Sequence, residues 1–167
     1  GEFKSPALIE EYIEGREIYI GVLGNVSPEA LPILEWDFSK MPKGVPKIAS
    51  SEAKWDEESV YKDAPEIFPK DIPEPVTTWL HEAAVNAFKA LKLRDYGRID
   101  MRVRRAKGEK PKKGKEKSEI DGWEYFIIEA NPNPYLDQKS EFAMAAAKHE
   151  LNYSQLIERI VQLAMER

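Results

Sequence analysis

The sequence contains no cysteine, which excludes disulfide frameworks, thiolate zinc sites, iron–sulfur ligation and cysteine nucleophiles. Histidine is scarce: His81 and His149 are the two present, far apart, and neither sits in a recognisable zinc or catalytic motif. Both read as ordinary helix residues, so imidazole-based zinc hydrolysis and Ser-His-Asp chemistry drop out. No apolar run approaches the roughly 20 residues of a membrane span, and no basic start followed by an apolar stretch marks a signal peptide. The expectation is a cytoplasmic protein with no membrane partner. Nor is there an excess of positive charge. A net charge of −5 leaves no global field to attract nucleic acid. Arg102, Arg104 and Arg105 raise the question of RNA, but no interleaved aromatic motif accompanies them, and no nucleic-acid partner is expected.

What is present is a core. Apolar residues make up 42% and charged residues 33% of 167 residues, the balance of one folded domain or a piece of a larger protein. Gly1-Glu2-Phe3 lacks an initiator Met and reads as a cloning or tag-removal remnant. Residues 4–167 are the expected domain.

From Ala7 to Phe38 the pattern is strand-like, in runs at Leu8-Ile9, Arg16–Leu23 and Leu31–Phe38 separated by Glu14-Gly15 and Gly24-Asn25 turns. In the second run Ile18, Ile20 and Val22 share one face, while Glu17, Tyr19 and Gly21 share the other. Residues 39–72 carry four prolines among many charges and predict a long irregular connection with one short strand near Val45–Ala49. Pro73 and Pro75 then open a helix whose apolar stripe runs through Val76, Leu80, Ala83, Ala84, Ala87, Phe88 and Leu91. After Gly97, Ile99, Met101 and Val103 alternate with Arg98, Asp100, Arg102 and Arg104, the second set facing solvent or a ligand. A lysine-rich tip from Lys107 to Lys117 reads as a solvated hairpin loop. Trp123–Asn131 returns as a strand, with Phe126, Ile128 and Ala130 predicted on one face and Tyr125, Ile127, Glu129 and Asn131 on the other. A short helix around Glu141–Lys148 follows. A last helix starts near Ser154, with Asn152 and Gln155 at capping-box spacing and an apolar stripe of Tyr153, Leu156, Ile157, Ile160, Val161 and Ala164. Strand runs with separate helices and no βαβ repeat predict an α+β fold, mainly antiparallel, with flanking helices.

The chemistry concentrates on the hairpin. Paired antiparallel, the Asp100 strand and the Glu129-x-Asn131 strand end bring two carboxylates and an amide oxygen onto one face. These are hard oxygen ligands suited to Mg²⁺ or Mn²⁺, which complete their shells with water and substrate phosphates. Arg98, on the same face, adds a fixed positive charge for a phosphate or a developing oxyanion.

Glu10-Glu11-Tyr12-Ile13-Glu14-Gly15-Arg16-Glu17, then Gly97-Arg98-Ile99-Asp100, then Ile128-Glu129-Ala130-Asn131 resembles the carboxy-terminal subdomain of ATP-grasp carboxylate–amine ligases, D-alanine:D-alanine ligases among them. The ordered set, with a Tyr-Ser-Gln-Leu-Ile helix start, spans most of the chain. The resemblance implies that Glu10, Glu11, Tyr12 and Ile13 form the adenine-holding hinge and that Glu17 binds the ribose. It implies that Asp100, Glu129 and Asn131 hold two Mg²⁺ ions bridging the ATP phosphates, and that Arg98 stabilises the tetrahedral intermediate. Lys54 matches a loop lysine near the phosphates. Such enzymes phosphorylate a carboxylate and let an amine attack the acyl phosphate, work that is mostly positioning and charge neutralisation. The implied partners are small-molecule carboxylate and amine substrates and the missing amino-terminal part of the same enzyme, with a homodimer expected at full length. The fragment alone is expected to be inactive.

The family's Thr-x-Pro-Gly-(Met or Leu)-Thr run after the metal-binding Asn is here Pro132-Asn133-Pro134-Tyr135-Leu136-Asp137, which leaves the amino-acid substrate open. Tyr135 still offers a backbone N–H at that place. Ser140 stands in register with a serine that binds the second substrate's carboxylate, and reads equally as a helix N-cap. The alternative to a ligase is a non-catalytic module that keeps the fold for nucleotide sensing or protein interaction.

Overall fold

The computed structural model describes residues 6–42, 44–48, 61, 64–106, 119–120 and 122–166. Lys54 and the lysine-rich tip lie outside the described residues. The described elements are strands β1 (Arg16–Leu23), β2 (Glu29–Ala30), β3 (Leu34–Trp36) and β4 (Glu66–Ile67), helix α1 (Glu74–Ala90), strands β5 (Tyr96–Arg105), β6 (Glu119–Ile120) and β7 (Trp123–Asn131), and helices α2 (Glu141–Lys148) and α3 (Tyr153–Met165). The strands form one sheet in the order β4-β3-β1-β5-β7-β6, with β2 added beside β1. Every ladder is antiparallel, so the predicted α+β class holds.

The two faces of β1 and β5 are covered differently. Ile18, Ile20, Val22, Ile99, Met101 and Val103 pack against the Val76, Leu80, Ala83, Ala84 and Phe88 stripe of α1. Burying each large aliphatic side chain stabilises the fold by about 1.5–3 kcal/mol. Pro75 starts α1 where its missing N–H costs nothing. Leu91 is the C-cap of α1 and is 56% exposed, so the stripe ends one turn earlier than its spacing predicts.

On the opposite face, Tyr19, Leu23, Leu31 and Leu34 pack against Phe142, Ala143, Ala145 and Ala146 of α2 and Leu156 and Leu163 of α3. The glycine at position 21 makes room for this layer, because a Cβ there would stand 2.9 Å from both Phe142 Cε2 and Leu31 Cδ1. The predicted capping box closes the start of α3: Asn152 accepts from the Gln155 backbone N–H while Gln155 accepts from that of Asn152. Its inward face runs through Leu156 and Leu163, while Val161 and Ala164 are exposed.

Other expectations are corrected. Leu8 and Ile9 lie in irregular, exposed chain. Pro32 interrupts the Leu31–Phe38 run, since it has no N–H to give a ladder, and only Leu34–Trp36 pairs with β1. Val45 to Ile48 form no strand, Ala49 lies outside the described residues, and the short strand of this connection is β4 instead. The faces of β7 are also not as alternation predicts. The pairing of β5 with β7 shifts by one residue after Asp100, so Glu129 opposes Asp100 but Ile127 opposes Met101, leaving Ile128 in the bulge. Beyond it Tyr125 opposes Val103 and Phe126 opposes Arg102. Tyr125 thereby joins the α1 side, edge-on to Trp79 at 4.6 Å, and Phe126 takes the polar side under Arg104.

Candidate active site

The polar face of β5 is neither solvated nor empty. Arg98, Asp100 and Arg102 are all buried, which is tolerable for charged groups only where partners replace water. Arg98 grips Asp100 bidentately, Nε to Oδ1 at 2.7 Å and Nη2 to Oδ2 at 2.8 Å. Its Nη1 faces Glu141 Oε1 at 3.6 Å, and its guanidinium lies 4.3 Å above the Tyr19 ring. Burial disfavours the Arg98 charge, but the bonds and charge of Asp100 more than offset it and hold its pKa above the ordinary value. Burial, with the carboxylates of Glu17 and Asp100 nearby, pushes the Tyr19 phenol up.

Glu129 stands directly across from Asp100, and Asn131 across from Arg98. The Asn131 amide donates to Asp100 Oδ2 at 3.2 Å. The hairpin therefore brings Asp100, Glu129 and Asn131 to one end of one face, as the spacing predicts. Glu129 is exposed and Asn131 half-buried. Two carboxylates and an amide oxygen form a donor set that fits a hard cation, with Asp100 Oδ2 already accepting from both Arg98 and Asn131. Among the described residues no group of three His, Cys, Asp or Glu could hold a metal without other donors. The set therefore depends on the amide and on outside oxygens to complete a shell.

Two cavities flank the Arg98–Asp100 pair. A cavity of about 320 Å³ is lined by Glu10, Glu11, Tyr12, Ile13, Glu17, Asp100, Arg102 and Glu129, with Ile48, Met101 and Ile128 as its apolar wall. Glu10 to Ile13 enter it as irregular backbone outside any ladder, with donors and acceptors unspent on the sheet. Glu17 reaches it from β1, accepting from Tyr19 OH at 3.2 Å and pairing with Arg102 at 3.0 Å.

The larger cavity, about 660 Å³, is lined by Arg98, Asn131, Tyr135, Ser140 and Glu141 together with Trp36, Tyr61 and Glu66. Ser140 is the N-cap of α2, its Oγ accepting from the Ala143 N–H at 3.4 Å, and it is buried. Tyr135 is exposed at the rim. Glu66 of β4, which the sequence reading missed, carries a carboxyl whose pKa is raised to about 7 by burial first and then by the charge and hydrogen bond of Glu141. The Trp36 indole N–H, which completes no normal hydrogen bond, works against that rise.

The three arginines that raised the question of RNA each engage a group within the chain: Arg102 pairs with Glu17, Arg104 with Glu124 at 2.8 Å, and Arg105 lies 4.5 Å over the Trp123 ring.

A family model described as the C-terminus of D-ala D-ala ligase matches residues 1–112, more than half of the chain. The chain belongs to this family. Among its relatives is the D-alanine–D-alanine ligase of Desulforudis audaxviator, 31% identical over 162 residues, covering 96% of this chain and 44% of the relative. An uncharacterised protein of Sinorhizobium fredii is 30% identical over 166 residues, covering 99% of this chain and 43% of the relative. The chain thus spans less than half the length of these relatives. The fold is that of the D-alanine–D-alanine ligase of Bacillus anthracis, solved in complex with ATP, with a TM-score of 0.63 at 21% identity over 94% of this chain and 39% of that one. No described helix is long and apolar enough to cross a membrane.

Glu66 and Glu141 line the larger cavity and Arg102 the smaller one, and none of the three falls in the motif segments 10–17, 97–100 and 128–131. Arg102 carries a signal of its own, an arginine on a strand face whose cross-strand partner in β1 is acidic. Glu66 carries none, because its two-residue strand lies inside an irregular connection.

Proposed function

We propose that this chain is the nucleotide- and metal-binding part of an ATP- and Mg²⁺-dependent ligase that joins a carboxylate to an amine through an acyl phosphate, a D-alanine:D-alanine ligase-like reaction. The observation that carries the reading is the register that sets Asp100 opposite Glu129 and Arg98 opposite Asn131 on one sheet face, between two cavities. Asp100, Glu129 and Asn131 would hold Mg²⁺, or Mn²⁺ in its place, with two ions expected from the family resemblance. Such ions neutralise phosphate charge and leave the γ-phosphoryl group open to an incoming oxygen.

The chain's own residues do the positioning. The backbone of Glu10 to Ile13 offers the donor and acceptor that an adenine edge requires, and Glu17 takes the ribose hydroxyls. Arg98, locked by Asp100 and Tyr19, keeps N–H donors on Nη1 for charge building on the acyl oxygen in the larger cavity. The Tyr135 backbone N–H and Ser140 line the same space and are assigned to the amine substrate. Lys54 is assigned to the phosphates on its motif alone. The amino-terminal portion that the relatives possess would supply the opposite wall, so the 167-residue chain is proposed to be inactive by itself.

The test is an assay of the full-length protein with ATP and Mg²⁺ over a panel of amino acids, using carboxylates labelled with ¹⁸O. Transfer of one label to the released phosphate, dependent on both carboxylate and amine, is the expected result. ATP that is never turned over with any acceptor would leave the nucleotide-sensing module as the better description.

A further inference from the structure

Arg102 is almost fully buried, yet the reaction proposed above gives it no task. A buried arginine is costly, and a well-packed apolar residue in its place is often neutral or stabilising. What distinguishes this one is where its donors go. Nη1 donates to the carbonyl of Gly15 at 3.1 Å, Nη2 donates to the carbonyl of Lys47, and Nη2 also pairs with Glu17 Oε2 at 3.0 Å. The guanidinium lies 5.5 Å from the centre of the Tyr12 ring. One side chain on β5 thus ties together two segments distant in sequence, the 12–17 stretch that leads into β1 and carries Glu17, and the 44–48 loop whose Ile48 forms part of the smaller cavity's apolar wall.

We infer that Arg102 is a positioning residue for the nucleotide: it fixes the carboxylate of Glu17 and the 44–48 wall relative to the Glu10–Ile13 backbone, so that sugar recognition and base enclosure are set by one guanidinium. The inference rests on the assignment of the smaller cavity to ATP. Glu17 has both oxygens anchored from within the chain, Oε2 by Arg102 and Oε1 by Tyr19 OH, which fixes the direction in which the carboxylate meets a ribose hydroxyl. Without Arg102 the carboxylate loses its anchor on Oε2 and the 44–48 loop loses the bond from Lys47 to β5. Lysine cannot replace the arrangement, because a single ammonium lacks the planar fork that reaches two carbonyls and a carboxylate at fixed angles.

The experiment compares wild type, Arg102→Met and Arg102→Lys in the full-length protein. Calorimetry with ATP, 2′-deoxyATP and 3′-deoxyATP gives the affinities, and hydrogen exchange follows the backbone of 44–48. Arg102→Met is expected to weaken ATP at least tenfold, to bring the ATP-to-deoxyATP affinity ratios close to one, and to raise KM for ATP with kcat changed less than threefold. Exchange across 44–48 should rise in both variants. Arg102→Lys, which keeps the ion pair to Glu17, should retain most of the sugar discrimination. Unchanged discrimination in Arg102→Met, or exchange at 44–48 equal to wild type in both variants, overturns the inference. Should Arg102→Met fail to fold, a double-mutant cycle of Arg102→Lys with Glu17→Gln decides: the two substitutions are expected to be non-additive on ATP affinity, and strict additivity overturns it. A wild-type protein that binds no ATP defeats the nucleotide assignment itself, while the exchange measurement still reads the clasp.

Discussion

Asp100 and Glu129 face each other across β5 and β7 at the last pair before the register shifts by one residue. The bulge matters to both sides of the sheet. It lets two carboxylates stand together at the strand end while Tyr125 and Trp123, further along β7, turn to meet α1 and the core. A regular ladder would have put either the acids or these aromatic rings on the wrong face.

The two acids should therefore separate in their effects. Asp100→Asn removes the charge that balances buried Arg98, and is expected to cost about 1–3 kcal/mol of stability, Glu141 limiting the loss. Glu129 is exposed, and Glu129→Gln should stay within about 0.5 kcal/mol. Both should weaken metal–nucleotide binding at least tenfold in the full-length protein. Urea unfolding and calorimetry together check the split.

Glu66 makes stability depend on pH. Its folded pKa of about 7 lies above the ordinary 4.5, so the native state holds the proton more tightly than the unfolded chain. The contribution is fully present below about pH 4.5 and is lost as pH rises through about 7. Glu66→Gln should accordingly match wild type near pH 4.5 and exceed it above pH 7, by about 1 kcal/mol after allowing for the group's partial exposure. Thermal unfolding across this pH range reads the difference, and a variant less stable at pH 8 than wild type contradicts the assignment.

Gly21→Ala tests how α2 sits on the sheet. With a Cβ 2.9 Å from Phe142 and Leu31 side-chain atoms, the variant should lose about 1–3 kcal/mol to overpacking. Adding Phe142→Leu should recover part of that loss in the same unfolding experiment.

Asn152→Ala removes half of the capping box on α3. The expected loss is about 1 kcal/mol, seen as a lower urea midpoint with an unchanged slope.

Much of this architecture is legible in the chain, and the reasons differ by element. The α1 stripe reads correctly because five buried positions recur at helical period, and a tertiary fold rarely overrides so regular a face. The capping box reads correctly because its two side chains act on adjacent backbone. The bulge does not read, since no glycine or proline marks Ile128 and the shift arises from pairing with β5. Leu8-Ile9 looks like a strand but pairs with nothing in the ladders, and strand character depends on a partner that composition cannot supply. At the site, Arg98, Asp100, Glu129 and Asn131 come together as their spacing predicts. The internal commitments of the polar face do not read: alternation alone makes Arg98, Asp100 and Arg102 look solvent- or ligand-facing, whereas each is buried against partners from β1, β7, α2 or the 44–48 loop. Lys54 lies outside the described residues, and the sequence motif is its sole support.

The central claim is that Asp100, Glu129 and Asn131 serve one metal–nucleotide site. Paramagnetic broadening of assigned NMR signals in the full-length protein, on titration with Mn²⁺ in the presence of ATP, tests it most directly. The account predicts selective loss of signals around positions 100, 129 and 131, abolished by Asp100→Asn and by Glu129→Gln. Bound ATP with broadening centred elsewhere, or none confined to these strand ends, would contradict it.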